Sequence, residues 1–421
     1  MNYLNVTIDK LKSKQNVFLT GGAGVGKTTI TRDVIKAYEE DAKKVAKLAS
    51  TGMAATLIGG QTLHSFFDLG IASNIEELES KGKLDIKKKV KKLIHSMDLV
   101  VIDEISMVSD SLFDMIKLRL EQSEFSGSLL VVGDFLQLPP IVRGFSEVVF
   151  AFESESWNYF DFETIELTHI YRTDDKRFIE LLHNVRYGFV DESIHNHLNE
   201  YIKPLPEDLS EFTFLFGKNS SASNHNKEQL KHINEELFVK EAQIIKHQKT
   251  AKDAEIERYM NDARIEKELE LKIGSPVLFT RNAWNYFNGE RGVIVNADSS
   301  YIYVQKKDAK VVKLEVVAQS KTAWSEKTIE GKKEMVEEDI FTIYQYPIKL
   351  AFAITIHKSQ GMSIEDLIIE TNEIFAPSQF YVALSRSSNP TRLNLIAPKK
   401  QWYELAFVNR KASAFVRGKN L

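Results

Sequence analysis

Apolar positions in the first half of the chain gather into short unbroken runs at residues 17–20, 45–49, 99–102 and 129–132, with stretches of helical spacing between them. Such runs, each followed by Gly, Ser, Thr, Asp or Glu, read as strands buried on both faces. Their alternation with helices predicts an α/β fold with parallel sheets. Ligands in open sheets of this kind bind beyond the carboxyl ends of the strands, so the loops after these runs are where chemistry is expected. The pattern relaxes at Lys203-Pro204-Leu205-Pro206 and resumes with a strand at 212–216. Residues 246–270 are charged and helix-like, which predicts a surface position. Between 276 and 317 the apolar spacing changes to alternation, in runs at 277–280, 292–296, 301–305 and 311–316, with Asn288-Gly289 as a hairpin-type turn. A small β-barrel-like insertion is predicted there. From Thr342 the α/β pattern returns, with strands at 348–355, 367–370 and 393–397, and no internal repeat is present.

Bulk properties narrow the classes. A chain of 421 residues with 43% hydrophobic content can build several cores. The apolar runs are too short for a bilayer-spanning helix and the N-terminus lacks a signal pattern, so a cytoplasmic protein without a membrane partner is expected. The absence of cysteine excludes disulfides and thiolate zinc sites. A net charge of −4 confines any nucleic-acid surface to a local patch. Lys87, Lys88, Lys89, Lys91 and Lys92 form one basic stretch, which fits a solvated helix face or phosphate contacts.

The most specific chemistry follows the first run. Gly21-Gly22-Ala23-Gly24-Val25-Gly26-Lys27-Thr28 fits G-x-x-x-x-G-K-[ST] between a strand and a helix that starts with Thr29. The glycines let backbone N–H groups turn around phosphates, and the helix N-terminus adds partial positive charge. Lys27 would reach the β/γ oxygens and the Thr28 hydroxyl would ligate Mg²⁺. The third run ends in Asp103-Glu104, where Asp103 suits water-mediated Mg²⁺ binding and Glu104 suits polarising an attacking water. The next run closes in Gly133-Asp134-Phe135-Leu136-Gln137. The Gln137 amide can donate to a γ-phosphate and accept from the water. The chain therefore reads as binding and hydrolysing a nucleoside triphosphate.

With these elements, Ala49-Ser50-Thr51-Gly52-Met53-Ala54-Ala55, Gly60-Gln61-Thr62-Leu63-His64-Ser65-Phe66, Glu166-Leu167-Thr168 through Arg172, Thr355-Ile356-His357-Lys358-Ser359-Gln360-Gly361 and Tyr381-Val382-Ala383-Leu384-Ser385-Arg386 follow in order. The chain thus resembles the superfamily-one B DNA helicases of the Pif type, relatives of the phage Dda helicase and RecD, in a compact bacterial or phage form. The resemblance implies two RecA-like P-loop lobes, at 1–165 and 166–421, with a small wedge or pin insertion near 67–94 and an SH3-like β insertion near 275–340. It implies ATP in the cleft, held by Gly22, Gly24, Val25, Gly26, Lys27, Thr28, Thr29, Gln137, Gly361 and Arg386. Lys27, Glu104, Gln137, Arg172 and Arg386 would be catalytic, with Thr28 and Asp103 on Mg²⁺. DNA contacts carried over by motif are Thr51, Gly52, Thr62 and His64 on lobe one, and Thr355, His357 and Lys358 on lobe two. Phe66 fits base stacking or core packing, and Asn282 fits a DNA contact or a turn. A monomer acting on single-stranded and forked DNA, moving 5′→3′, is implied. The chain departs from the family pattern. The region some sixteen residues before Thr20-Gly21 reads Asn2-Tyr3-Leu4-Asn5, without the glutamine that members use to recognise adenine, and between Met107 and Gly133 the eukaryotic signature is incomplete, with Phe125-Ser126-Gly127 only.

Two other readings compete with this one. A DNA-independent P-loop ATPase switch or clamp-loader-like protein explains the phosphate loop but not residues 355–361 or the β insertion. A nucleic-acid-binding protein with a vestigial ATP site conflicts with intact Lys27, Glu104 and Arg386.

Overall fold

The computed structural model describes residues 2–51, 54–55, 58–140, 147–206, 208–248, 251–263, 265–329 and 332–418. Its first sheet collects β1 (Val17–Gly21), β2 (Val45–Ala49), β3 (Gln61–Thr62), β4 (Leu99–Asp103), β5 (Ser128–Val132) and β6 (Glu163–Leu167) in the order β3-β2-β4-β5-β1-β6. Every pairing in it is parallel. Parallel strands carry helices on both faces, which is why β1, β4 and β5 are buried throughout. The same geometry places the ends of β1, β4 and β5 on one edge. The phosphate loop, Asp103-Glu104 and Gly133-Asp134 therefore converge although they are far apart in sequence.

A second parallel sheet, ordered β18-β7-β19-β20, comprises β7 (Thr213–Phe216), β18 (Ala353–Thr355), β19 (Leu367–Ile369) and β20 (Leu393–Leu395). Between β7 and β18 lies a mostly antiparallel module. Its strands are β8 (Phe238–Glu241), β9 (Gln243–Lys246), β10 (Glu268–Leu271), β11 (Pro276–Phe279), β12 (Arg291–Ala297), β13 (Ile302–Lys306), β14 (Val311–Leu314), β15 (Val317–Ile329), β16 (Lys332–Gln345) and β17 (Ile348–Leu350). They form a five-stranded sheet ordered β14-β13-β12-β11-β17, the β10-β8 pair, and the ladder β15-β16-β9. The module thus extends on both sides of the expected insertion. The helix expected over 246–270 is confined to Asp253–Ala263. The single strand expected over 348–355 is two, because the chain leaves the antiparallel sheet at β17 and enters the parallel one at β18.

The two lobes are not separate in sequence. β6 continues the first sheet to Leu167, and the helix Arg410–Val416 returns to that lobe's core. There Phe415 stacks on Phe152 with ring centroids 4.2 Å apart and meets Phe135 edge-on. The β15–β16 hairpin also reaches across, with Met335 buried in the first lobe's core and Trp324 packed against it. The lysine-rich stretch forms the helix Lys88–His95, whose Lys91 pairs with Glu124 at 2.7 Å. Such exposed pairs contribute little to stability. Among the described residues no helix is long and apolar enough to cross a membrane.

Candidate functional site

The phosphate loop leaves β1 and enters the helix Lys27–Glu40 through Gly26, whose φ of +88° places it in the left-handed region at the N-cap. Gly24, at φ +78°, has no room for a side chain, because a Cβ there would lie 2.9 Å from the Cβ of Arg172. Val25 anchors the loop in the core beneath. The Lys27 ammonium donates to the carbonyls of Gly21 at 2.7 Å and Gly22 at 2.8 Å. Burial lowers its pKa, opposed by the carboxylates of Asp134, Glu104 and Asp103.

Two acids face the lysine from β4. Asp103 is buried and accepts from the Glu104 N–H at 2.8 Å, and burial raises its pKa. Glu104 turns out of the strand at φ +54°, an uncommon backbone conformation for a non-glycine residue that aims its carboxylate away from the sheet. Burial and the neighbouring Asp103 push its pKa up to about 7, against the pull of Lys27 and Arg386. Its Oε2 accepts from the Gln360 amide across the cleft at 3.0 Å, and its backbone carbonyl accepts from the Ser50 hydroxyl at 3.1 Å.

Gln137 is buried beside Asp134, to whose Oδ2 its amide donates at 3.4 Å. Arg186 of the second lobe clamps the same carboxylate from Nε at 3.1 Å and Nη2 at 2.8 Å. Burial alone would raise the Asp134 pKa, but the guanidinium outweighs it and holds the carboxyl below its usual range.

Arg172 reaches from behind the loop, with Nε donating to the Ser363 hydroxyl at 2.9 Å and Nη1 to the Ser385 carbonyl. Burial and the adjacent Arg386 bring its pKa down to about 9. Arg386 is 2% exposed and donates within the second lobe, to the Val382 carbonyl and the Ser385 hydroxyl, each at 2.9 Å. Burial brings its pKa down to about 10, with Tyr381 and Glu104 pulling the other way.

The expected DNA contacts fall in two places. Thr62 and His64 line a cavity of about 600 Å³ shared with Arg258, Tyr259 and Lys321 of the inserted module. Burial lowers the His64 pKa, against a backbone hydrogen bond with Ala72, and Arg258 lowers it further. Thr51 accepts from the Ala54 N–H at 3.3 Å, and Gly52 lies outside the described residues. On the second lobe Thr355 ends β18 and accepts from the Lys358 N–H at 3.3 Å, beside the turn His357–Ser359. Thr355 and Lys358 border a groove of about 220 Å³ whose far wall carries Glu266, Glu268 and Glu270.

Two residues with two readings along the sequence have these surroundings in the structure. Phe66 is 3% exposed and packs edge-on against Phe67 in the first lobe's core, so it offers no free face for a base. The Asn282 carboxamide oxygen accepts from the Asn288 N–H at 2.7 Å, which gives the residue a turn-closing role. Conversely, sequence reasoning quoted Asp134, Gln360 and Tyr381 inside motifs without giving them roles, and it passed over Arg186. The Tyr381 hydroxyl accepts from the Ala23 N–H at 2.8 Å. The acid after β5 and the tyrosine and amide flanking the motif arginines were visible signals. Arg186, in mid-helix, carried none.

Comparison with known proteins agrees with this geometry. Residues 4–196 match the model of the PIF1-like helicase family. The ATP-dependent DNA helicase Pif1 of Campylobacter jejuni is 38% identical over 96% of this chain and 93% of its own length. Pif1 from a Bacteroides species in complex with ADP-AlF4 superposes with a TM-score of 0.84 at 27% identity, over 99% of this chain and 96% of that one. The Bacteroides Pif1 bound to ssDNA superposes at 0.63 with 26% identity and the same coverage.

Proposed function

The chain belongs to the PIF1-like helicase family and is an ATP-dependent DNA helicase, and from that premise we propose that it translocates 5′→3′ on single-stranded DNA and unwinds forked duplexes as a monomer. The observation that carries the coupling is the position of Glu104. Its carboxylate is held by Gln360, two residues beyond Lys358, and its carbonyl by Ser50, next to Thr51. One residue at the hydrolytic centre is therefore tied to the DNA-facing motif of each lobe, so a strand seated on either motif changes the setting of Glu104.

In this reading the loop amides from Gly22 to Thr29 and the Lys27 ammonium hold the triphosphate, and Gly361 borders it from the second lobe. Glu104 takes the proton of the attacking water and Gln137 orients that water. Arg172 and Arg386 neutralise charge developing on the transferred phosphoryl group, and to do so Arg386 exchanges its present carbonyl contacts. A hydroxyl from Thr28 and one carboxylate from Asp103, whose second oxygen is not used by the Glu104 N–H, suit Mg²⁺, which takes few protein ligands and keeps several waters. When bound there, the ion would supply charge neutralisation to the triphosphate.

Thr51, Gly52, Thr62 and His64 on the first lobe, and Thr355, His357 and Lys358 on the second, are the proposed phosphate contacts. Phosphate-directed binding weakens steeply with salt. The test is ATP hydrolysis with and without oligo-dT at low salt, followed by unwinding of 5′- and 3′-tailed duplexes. Strong stimulation and a requirement for the 5′ tail support the proposal. Hydrolysis indifferent to DNA returns the switch-ATPase reading, and a 3′-tail requirement overturns the polarity.

A further inference from the structure

The sequence lacks the N-terminal glutamine expected to read adenine, so the base must be recognised elsewhere or not at all. The geometry of a phosphate loop restricts where. With Lys27 at the β/γ oxygens and the Thr28 hydroxyl toward Mg²⁺, the nucleoside end of the triphosphate lies further along the start of the following helix, beside Thr29. A cavity of about 720 Å³ lies there, walled by Thr29 and Arg32 of the first lobe and by Phe287, Asn288 and Arg291 of the second. That volume falls within the usual range for small-molecule sites.

Two polar atoms in this wall are buried and have no hydrogen-bond partner among the described residues, namely Asn288 Oδ1 and Arg291 Nε. Buried polar groups are rarely left so, and each such group requires an explanation. The Arg291 guanidinium is otherwise anchored, its Nη2 donating to the carbonyls of Ser210 and Phe212. Asn288 is fixed by the turn that carries it. Asn282 accepts its N–H at 2.7 Å, and Gly289, at φ +86°, packs so closely that a Cβ would lie 2.8 Å from the Ser363 carbonyl oxygen. Ser363 in turn receives the Arg172 guanidinium at 2.9 Å. The unpartnered acceptor is thus held in fixed relation to an arginine at the phosphate loop. Beside it Phe287 lines the cavity and is 66% exposed.

We propose that Phe287 and Asn288 form the base-reading part of the nucleotide site and select a 6-aminopurine, a reading that rests on the phosphate loop being the ATP site. A base stacks on Phe287 while Asn288 Oδ1 accepts the 6-amino hydrogen and the carboxamide nitrogen donates to an adjacent ring nitrogen, the pairing an asparagine makes with adenine edges elsewhere. A 6-oxo purine sets its own acceptor against Oδ1. Because the reader sits on the second lobe, base recognition draws the lobes together over the triphosphate.

The experiment compares KM for ATP and ITP, which share the purine ring and differ at position 6, in oligo-dT-stimulated hydrolysis by the full chain. A good bidentate contact predicts preference for ATP by roughly 5- to 100-fold in kcat/KM. Asn288→Ala is expected to collapse that ratio toward one through KM. Phe287→Leu is expected to weaken both nucleotides by a similar factor and keep the ratio, which separates loss of base reading from misfolding. Equal use of ATP and ITP by the unaltered chain, or an Asn288→Ala variant that keeps the preference, overturns the proposal. Absence of hydrolysis with every triphosphate overturns the underlying ATP-site reading instead.

Discussion

The hydroxyl of Tyr381, on the helix that leads to Arg386, accepts a hydrogen bond from the backbone N–H of Ala23 in the phosphate loop at 2.8 Å. The two residues are on different lobes, and the tyrosine is 3% exposed. A phenol buried between two lobes carries one directional contact that an apolar ring does not. Burial and nearby Asp134 push its pKa up to about 12, so it stays protonated at neutral pH.

Replacing Tyr381 with Phe keeps the ring and deletes this bridge. The net worth of one neutral hydrogen bond is about 0.5–1.5 kcal/mol. If the bridge positions Arg386 against the phosphates, kcat falls roughly 2- to 10-fold with KM for ATP nearly unchanged. Steady-state kinetics with saturating oligo-dT decide it, and a change confined to KM would assign the hydroxyl to ground-state binding.

Glu104→Gln is expected to bind ATP and to lose at least about 100-fold in kcat, the usual scale for removing a general base. With the Glu104 pKa near 7 in the nucleotide-free protein, kcat/KM should rise with pH through that value in the parent chain, and the limb should vanish in the variant. The stability effect has the opposite sense. The folded state holds a proton on Glu104 from its ordinary range, near 4.5, up to about 7, so this residue's contribution to stability falls as pH rises across that window. The amide carries no such penalty, and thermal melting should show Glu104→Gln gaining on the parent at pH 8 relative to pH 5.

The Arg186–Asp134 pair is 7% and 0% exposed at the side chains. Removing one partner of a buried ion pair leaves an uncompensated charge, at a cost of about 3–5 kcal/mol. Asp134→Asn should therefore lower the unfolding midpoint markedly. The double variant Asp134→Asn, Arg186→Met should recover much of it, because the stranded guanidinium is gone. Denaturant titration of the three proteins measures the coupling, and equal losses in single and double variants would show that the pair acts through something other than charge.

Much of the site was legible along the chain because its parts are local. A phosphate loop is a strand, a turn with glycines at positive φ, and a helix start, all within a few residues, and the same holds for Asp103-Glu104 at the end of β4. Phe66 was legible only in part. Its motif carries no information on whether the ring faces a strand of DNA or the Phe67 ring in the core, and packing settled that. Asn282 was ambiguous for a similar reason, since an asparagine in a loop serves a turn as readily as a ligand. Arg186 was invisible because its partner lies 52 residues away, in the other lobe.

The sequence by itself determined the alternation of parallel strands and helices, the phosphate loop and its paired acids, and the order of motifs that marks the family. These depend on short-range periodicity and backbone conformation, which neighbouring residues dictate. Only the tertiary structure decided that Gln360 meets Glu104, that Tyr381 meets Ala23, that the last helix completes the first lobe's core, and that Asn288 and the start of the helix after the phosphate loop line one cavity. Each is a contact between segments far apart in the chain, set by how the sheets stack and how the lobes close, and no local spacing encodes that.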